Sequence, residues 1–310
     1  MKRHSLATIR KRGAVLLLAV CCLIAMSVAA EETVYVENEW NYVDGSINVS
    51  GGIPENAGGV LGTIRERGVL RVATEPYFAP QEFIDPDLDG QDTYAGADME
   101  FARLLAERMG VELLIVPMDF TKVLQAVASD ECDLAISALS FVPSRAQTNA
   151  LSKGYFFADS TAACTMIIRA EDAEEIQSIE DLNRKVIAAQ QGSLQESMAV
   201  EHVFSYREFR RLPQVQNVHD AVSSGEADAG FVDMETADYY IRNNPECELV
   251  LVEAVQFRLE AQYTGDRVAA KKGENELLYF VNGVIDEMIA GDLYTQWYAE
   301  AEKRAKELGL

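Results

Sequence analysis

The chain has 310 residues and a formal net charge of −23, from 50 acidic and 27 basic side chains. Such an excess of negative charge repels phosphates, which argues against nucleic acid as a partner. The cysteines after residue 30 are Cys132, Cys164 and Cys247, which allow at most one disulfide and no zinc-ligand spacing. No metal or cofactor is predicted, since Walker, GxGxxG and GxSxG motifs are absent.

Residues 1–30 have the order of a secretory signal peptide. Five basic residues precede an apolar run over residues 13–26, and small residues then lead to Ala30. This order predicts export with cleavage after Ala30, and hence a periplasmic or cell-surface location. The apolar run is also long enough for a retained N-terminal anchor, which stays open as an alternative.

Residues 31–58 are acidic and rich in Gly, Ser and Asn, without the period of a helix or a strand. We expect them to form a flexible linker between the signal and the folded body. Order is expected to begin near Leu61, with a short helix that ends at Gly68.

From Leu70 onward two stretches follow one plan, in which apolar strands alternate with amphipathic helices. Strands are predicted at residues 70–74, 111–117, 134–137, 185–190 and 229–233, and helices at 98–109, 120–129, 192–203 and 219–224. SDECDLAIS and SGEADAGFVD repeat one element, a polar turn before a buried strand, with Asp133 and Asp228 at matching positions. The alternation predicts an α/β fold of two lobes, each a mostly parallel sheet flanked by helices.

In open α/β sheets a ligand binds beyond the C-terminal ends of the strands. The strand ends here carry polar side chains of both charges, as a small zwitterion requires. Arg145 follows Pro143, which suits the first turn of a helix, and a guanidinium binds a carboxylate through two parallel hydrogen bonds. A surface arginine that caps a loop is the alternative.

Three further positions allow two interpretations each. Ser193 and Gly192 stand at a strand–helix junction, where free backbone N–H groups favour an anion, although Ser193 also suits an N-cap. Asp233 ends an apolar strand and is an N-cap, a counter-ion for an ammonium, or both. Phe78 and Phe120 lie just past strand ends and form either pocket walls or plain core.

Residues 85–92, DPDLDGQD, begin like a calcium-binding loop, but Gly96 stands where that loop needs glutamate. The spacing favours an acidic β-hairpin tip between Phe83 and Tyr94, with calcium as the alternative.

Of the histidines after residue 30, His202 and His219, neither lies at a predicted strand end beside a nucleophile. The sequence therefore predicts no enzyme.

Three segments together resemble a known family: YAGADMEFARLLAERMGVELLIVPMDF, DLAISALSFVPSRAQTNALSKGYF and LYFVNGVIDEMIAGDLYTQWYAE. They are similar to the extracellular solute-binding proteins that deliver polar amino acids to ABC importers, over roughly residues 60–310. The resemblance implies the type 2 periplasmic binding fold, with lobe one at 59–156 and 257–310 and lobe two at 157–256. The lobes would close around a free amino acid by movement about a two-segment hinge.

The resemblance also implies roles for individual residues. Arg145, Ser140 and the backbone at Ala138 would hold the α-carboxylate with help from Ser193, and Asp233 would hold the α-ammonium. The residues implied to contact the ligand side chain are Glu75, Phe78, Phe120 and Gln190. Glu75, with Gln190 where a lysine would suit an acidic ligand, favours a polar or basic amino acid. The sequence departs from the family pattern at Leu194, where Thr or Gly often helps to bind the carboxylate, and at Gln81, where Phe is usual.

The implied partner is the membrane permease of an ABC importer, and the chain is expected to be a monomer. A ligand-sensing module and a dehydratase on the same fold stay open as alternatives. A dehydratase that acts on cyclohexadienyl substrates needs a proton donor, for which Glu75 is the one candidate.

Overall fold

Two five-stranded sheets form the frame of the molecule. The computed structural model describes residues 43–157, 163–259 and 264–310. The predicted signal peptide at residues 1–30 and the beginning of the predicted linker at residues 31–42 lie outside the described residues.

The strands are β1 (Val69–Thr74), β2 (Tyr77–Phe78), β3 (Glu82–Ile84), β4 (Tyr94–Ala95), β5 (Glu112–Pro117), β6 (Leu134–Ala135), β7 (Asn149–Leu151), β8 (Cys164–Arg169), β9 (Val186–Gln190), β10 (Glu208–Leu212), β11 (Ala229–Val232), β12 (Leu249–Phe257) and β13 (Ala269–Lys271). The α-helices are α1 (Gly59–Arg67), α2 (Ala97–Met109), α3 (Phe120–Ala128), α4 (Pro143–Thr148), α5 (Leu194–His202), α6 (Val215–Ser223), α7 (Met234–Asn243), α8 (Asn275–Ala290) and α9 (Leu293–Leu308). Each element predicted from the strand and helix pattern is present, with the largest shift at α6, which begins at Val215.

The two sheets repeat one topology. Lobe one has the strand order β5–β1–β6–β13–β7, and lobe two has the order β10–β9–β11–β8–β12. In each sheet the first three strands in this order run parallel. The fourth strand pairs antiparallel with both the third and the fifth. The expected two-lobe α/β fold is confirmed. One boundary was wrong, because Phe257 pairs with Cys164 inside the sheet of lobe two.

The repeated Asp fixes the parallel strands in both lobes. Asp133 donates its N–H to Arg71 O at 2.9 Å and accepts the Arg71 N–H on Oδ2 at 2.8 Å. Asp228 makes the same pair of bonds with Val186, at 2.8 and 2.6 Å. Asp133 also binds the guanidinium groups of Arg67 and Arg71. Because each Asp ties the start of one strand to its neighbour, the strands end together at the opposite edge of the sheet.

Residues 43–58 form an N-terminal strap that lies on lobe one. Val43 and Val49 are buried in the core of that lobe, and Asn282 Nδ2 on α8 donates to Val43 O at 2.7 Å and Gly45 O at 2.8 Å. A Cβ at Gly283 would lie 2.1 Å from Ile47 O, so α8 needs a glycine there. The prediction of a flexible linker is therefore wrong over residues 43–58, where isolated valines fill a groove without any regular period.

The acidic segment at residues 85–92 is the tip of a hairpin, as the spacing favoured. β3 and β4 pair antiparallel, and Arg304 on α9 binds Asp85 at 2.6 and 2.8 Å and Asp87 at 2.6 Å. The part of the chain that the structure describes contains no group of three His, Cys, Asp or Glu side chains that could hold a metal ion.

Cys132, Cys164 and Cys247 are free thiols, the first two buried. In the described ranges no helix combines the length and the apolar character that a membrane span needs.

We predict that Asn282→Ala lowers the free energy of unfolding of the full chain by about 2 kcal/mol, because Val43 O, Gly45 O and the Lys153 N–H lose their partner. Urea unfolding measures the change. Asn183→Ala, at an exposed asparagine of lobe two, is the control. A loss no larger than that of the control would contradict a strap held by Asn282.

Candidate functional site

A cavity of about 400 Å³ lies between the two lobes, a volume suited to a small ligand. All nine residues selected from the sequence line it: Glu75, Phe78, Phe120, Ala138, Ser140, Arg145, Gln190, Ser193 and Asp233. They are brought together because Glu75 follows β1, Gln190 ends β9 and Asp233 follows β11, so each stands at a C-terminal strand end.

Arg145 lies at the contact between the lobes. It occupies the first turn of α4, behind Pro143, and is buried. Its Nη1 donates to Ser140 O at 2.8 Å in lobe one, and its Nη2 donates to Gly192 O at 3.3 Å in lobe two. The guanidinium lies 5.4 Å from the ring centroid of Phe120. Burial lowers the pKa of Arg145 to about 10, so the group stays charged at neutral pH.

Asp233 serves as the N-cap of α7. Its Oδ1 accepts the N–H groups of Glu235 and Thr236, each at 3.0 Å. Among the described residues its Oδ2 has no hydrogen-bond partner, and the side chain lines the cavity. Burial raises the pKa of Asp233 to about 6. The capping role is thus observed, and one carboxylate oxygen is left to face a ligand.

Lobe two presents a hydroxyl and few free backbone donors. Ser193 is the N-cap of α5 and accepts the Glu196 N–H at 2.9 Å, which leaves its O–H available to donate. The Gly192 N–H, one of the expected anion donors, is taken by Glu196 Oε2 at 2.6 Å. The hydroxyl of Ser193 is therefore the better donor at this junction.

Glu75 and Gln190 meet across the cavity. Gln190 Nε2 donates to Glu75 Oε1 at 3.3 Å and to Pro213 O at 3.2 Å. Glu75 is 1% exposed, and burial raises its pKa to about 8. Phe78 and Phe120 are half-buried, with faces on the cavity. Both aromatic residues therefore line the cavity, and neither lies wholly in the core.

Three acidic residues that the sequence did not single out also line the cavity: Glu82, Glu235 and Asp266. Asp266 reaches the site through isolated β-bridges to Ser140 and Phe156, which join distant parts of the chain. Burial and neighbouring carboxylates raise the pKa of Asp266 well above its usual range. One sequence feature could have pointed to Glu82 as a site residue, because it is an acidic residue inside the apolar hairpin strand, beside Phe83.

Asp98 supports the floor of the cavity from behind. It accepts the Tyr294 O–H at 2.7 Å, the Tyr155 O–H at 2.8 Å and the Ala138 N–H at 2.8 Å. Ala138 has a φ of 45°, in the left-handed region, and the bond to Asp98 holds it there. Burial and the charge of Asp98 raise the pKa of Glu82 well above its usual range, so Glu82 holds the proton of this carboxyl pair.

The comparisons with known proteins agree with the two-lobe fold. Residues 70–300 match the family model described as bacterial extracellular solute-binding proteins, family 3. Over 202 residues the chain is 28% identical to the arginine-binding extracellular protein ArtP of Bacillus subtilis. The matched region covers 64% of this chain and 73% of ArtP.

Two solved structures are also similar. The amino acid ABC transporter substrate-binding protein AbpA from Streptococcus pneumoniae, bound to L-arginine, has 32% identity and a TM-score of 0.69, with 78% of this chain and 98% of that one covered. The ancestral amino acid-binding protein AncCDT-1, a precursor of cyclohexadienyl dehydratase, has 27% identity and a TM-score of 0.66, with 78% and 99% covered.

Proposed function

The chain belongs to the bacterial extracellular solute-binding proteins of family 3, and we propose that it captures a free amino acid with a cationic side chain, such as L-arginine. One observation carries the choice of ligand. The described residues that line the cavity include five carboxyl groups and one cationic side chain, Arg145. The five acidic residues are Glu75, Glu82, Asp233, Glu235 and Asp266.

The two ends of an amino acid engage only Arg145 and one of these five acidic residues. Its α-carboxylate would bind Arg145, whose guanidinium has five N–H donors, two of them engaged with carbonyl groups here. Its α-ammonium would bind Oδ2 of Asp233. Glu75 then remains buried without a cation, which is unfavourable for an ionised carboxylate. A guanidinium on the ligand side chain would neutralise it, between the rings of Phe78 and Phe120.

Closure would couple capture to a change of shape. Ser140 and Arg145 belong to lobe one, and Ser193 and Asp233 belong to lobe two, so only the closed form holds both ends of the ligand. This difference in affinity shifts the population toward the closed form. The closed protein, acting as an exported monomer, would deliver its ligand to the membrane permease of an ABC importer. Residues 1–30 would direct export, with cleavage after Ala30 or retention as an anchor.

A second candidate function is a dehydratase that acts on a cyclohexadienyl substrate. The raised pKa of Glu75, about 8, would let it act as a proton donor at neutral pH. The likeness to AncCDT-1, a precursor of cyclohexadienyl dehydratase, favours the same alternative. Formation of an aromatic product from a cyclohexadienyl acid, followed by absorbance, would support this alternative over pure capture.

A thermal-shift screen of the twenty amino acids tests the proposal. We expect the largest increase in melting temperature with L-arginine, a smaller increase with L-lysine, and none with L-aspartate or L-glutamate, because the carboxyl groups that line the cavity can pair with a ligand cation but not with a further carboxylate. Stabilisation by none of the twenty would contradict amino acid capture. Stabilisation mainly by acidic amino acids would contradict the proposed ligand class.

We predict that Arg145→Ala weakens L-arginine binding by at least about 100-fold, because the ligand carboxylate loses its charged partner in a closed cavity. Isothermal titration calorimetry measures the affinity. Arg207→Ala removes an exposed arginine of lobe two and should leave the affinity unchanged. Equal affinities for Arg145→Ala and the wild type would rule out the assigned clamp.

We also predict that L-arginine binding releases protons. Near neutral pH much of Glu75 is neutral, and a ligand guanidinium beside it lowers its pKa by favouring the ionised form. The affinity should therefore rise with pH until about 8 and then level off. Calorimetry in buffers of different ionisation enthalpy measures the number of protons released.

Glu75→Gln tests the source of those protons. This variant should release fewer protons and show a flatter pH dependence, while Glu208→Gln, at an exposed glutamate, should behave like the wild type. An affinity for L-arginine that falls as the pH rises toward 8 would contradict the role of Glu75.

A further inference from the structure

The lobes also meet at a place away from the cavity. Tyr239 on α7 of lobe two packs against Phe83, Ala301 and Ala305 of lobe one in a small apolar cluster. Tyr239 is 7% exposed, and its O–H donates to Glu302 O on α9 at 2.8 Å. None of these five residues lines the cavity. The contact therefore joins the lobes without touching the space that a ligand occupies.

Two other hydrogen bonds between the lobes differ from this one. Arg145 donates to Gly192 O and Gln190 donates to Glu75, and three of these four residues present cavity-lining side chains. A ligand that binds Arg145 or Glu75 contacts the same side chains that make those bonds. The bond from Tyr239 to α9 is compatible with any ligand, so it adds to the stability of the closed form whether or not those bonds persist.

One helix connects this contact with the site. Asp233 caps the N-terminus of α7 and lines the cavity, and Tyr239 lies on the same helix, six residues after Asp233. Because a short helix moves as a unit, an opening that draws Asp233 away from a ligand also displaces Tyr239 relative to α9. Opening must expose the Tyr239 ring and break its bond to Glu302 O.

We propose that Tyr239 is a positioning residue that fastens lobe two to α9 in the closed form and thereby sets how long the ligand is held. The inference rests on the proposed capture of an amino acid by closure. A contact made only in the closed form stabilises that form by the same factor for every ligand. It therefore slows dissociation, changes association little, and leaves the choice between ligands unaltered.

Tyr239→Phe and Tyr239→Ala test the proposal, with L-arginine as the probe in stopped-flow fluorescence and calorimetry. Tyr239→Phe keeps the ring and loses the hydrogen bond, so dissociation should be about three- to tenfold faster. Tyr239→Ala should accelerate it further, since the apolar contact is also lost. The ratio of the affinities for L-arginine and L-lysine should stay at its wild-type value in both variants.

Tyr240→Phe is the matched control. Tyr240 is the next residue on α7, but its hydroxyl bonds Gln216 and its ring stacks on His219, both inside lobe two. This variant should dissociate from L-arginine within about twofold of the wild-type rate. An equal acceleration by Tyr240→Phe would overturn the proposal, because the effect would then arise within lobe two.

Further outcomes separate the two proposals. Wild-type dissociation rates in both Tyr239 variants, or a changed ratio of L-arginine to L-lysine affinity, would overturn the role of Tyr239 while capture stands. Failure of the wild-type protein to bind any amino acid would overturn capture itself, and the inference with it. Should Tyr239→Ala fold poorly, Tyr239→Phe carries the test alone, since it keeps the packed ring.

Discussion

An excess of carboxyl groups enclosed between two lobes is the constraint on which this molecule depends. Among the described residues, five carboxyl groups and one guanidinium line a cavity of about 400 Å³, and burial raises the pKa of Glu75 to about 8 and of Asp233 to about 6. Such groups are stable as neutral acids or beside cations, and least stable as unpaired anions. A ligand that brings two cationic centres and one carboxylate resolves the imbalance, and closing the lobes around it becomes favourable.

The scaffold maintains this imbalance by fixing the backbone around the site. Asp133 and Asp228 tie parallel strands together at the edge away from the cavity. Asp98 takes three hydrogen bonds behind the floor and holds Ala138 in a left-handed conformation. α7 then carries Asp233 at its N-terminus. The cavity is thus formed by strand ends whose positions are set by buried polar contacts rather than by mobile loops.

Much of the fold and site could be predicted, because buried parallel strands must end at one edge and the polar residues after them must gather there. That reasoning and the family resemblance together selected nine residues, and all nine line one cavity. It failed where contacts join distant segments. Val43 and Val49 are buried against lobe one, although their segment has no helix or strand periodicity. Asp266 reaches the site through β-bridges to Ser140 and Phe156. Glu196 takes the Gly192 N–H by a local bond that residue spacing does not reveal.

The central claim is that the cavity selects a cationic side chain, and one comparison of ligands tests it most directly. L-citrulline has the shape of L-arginine with a neutral urea in place of the guanidinium. Calorimetry at neutral pH should show L-arginine bound at least about 100-fold more tightly, because only its side chain neutralises the buried carboxylates. Equal affinities for L-arginine and L-citrulline would contradict the account.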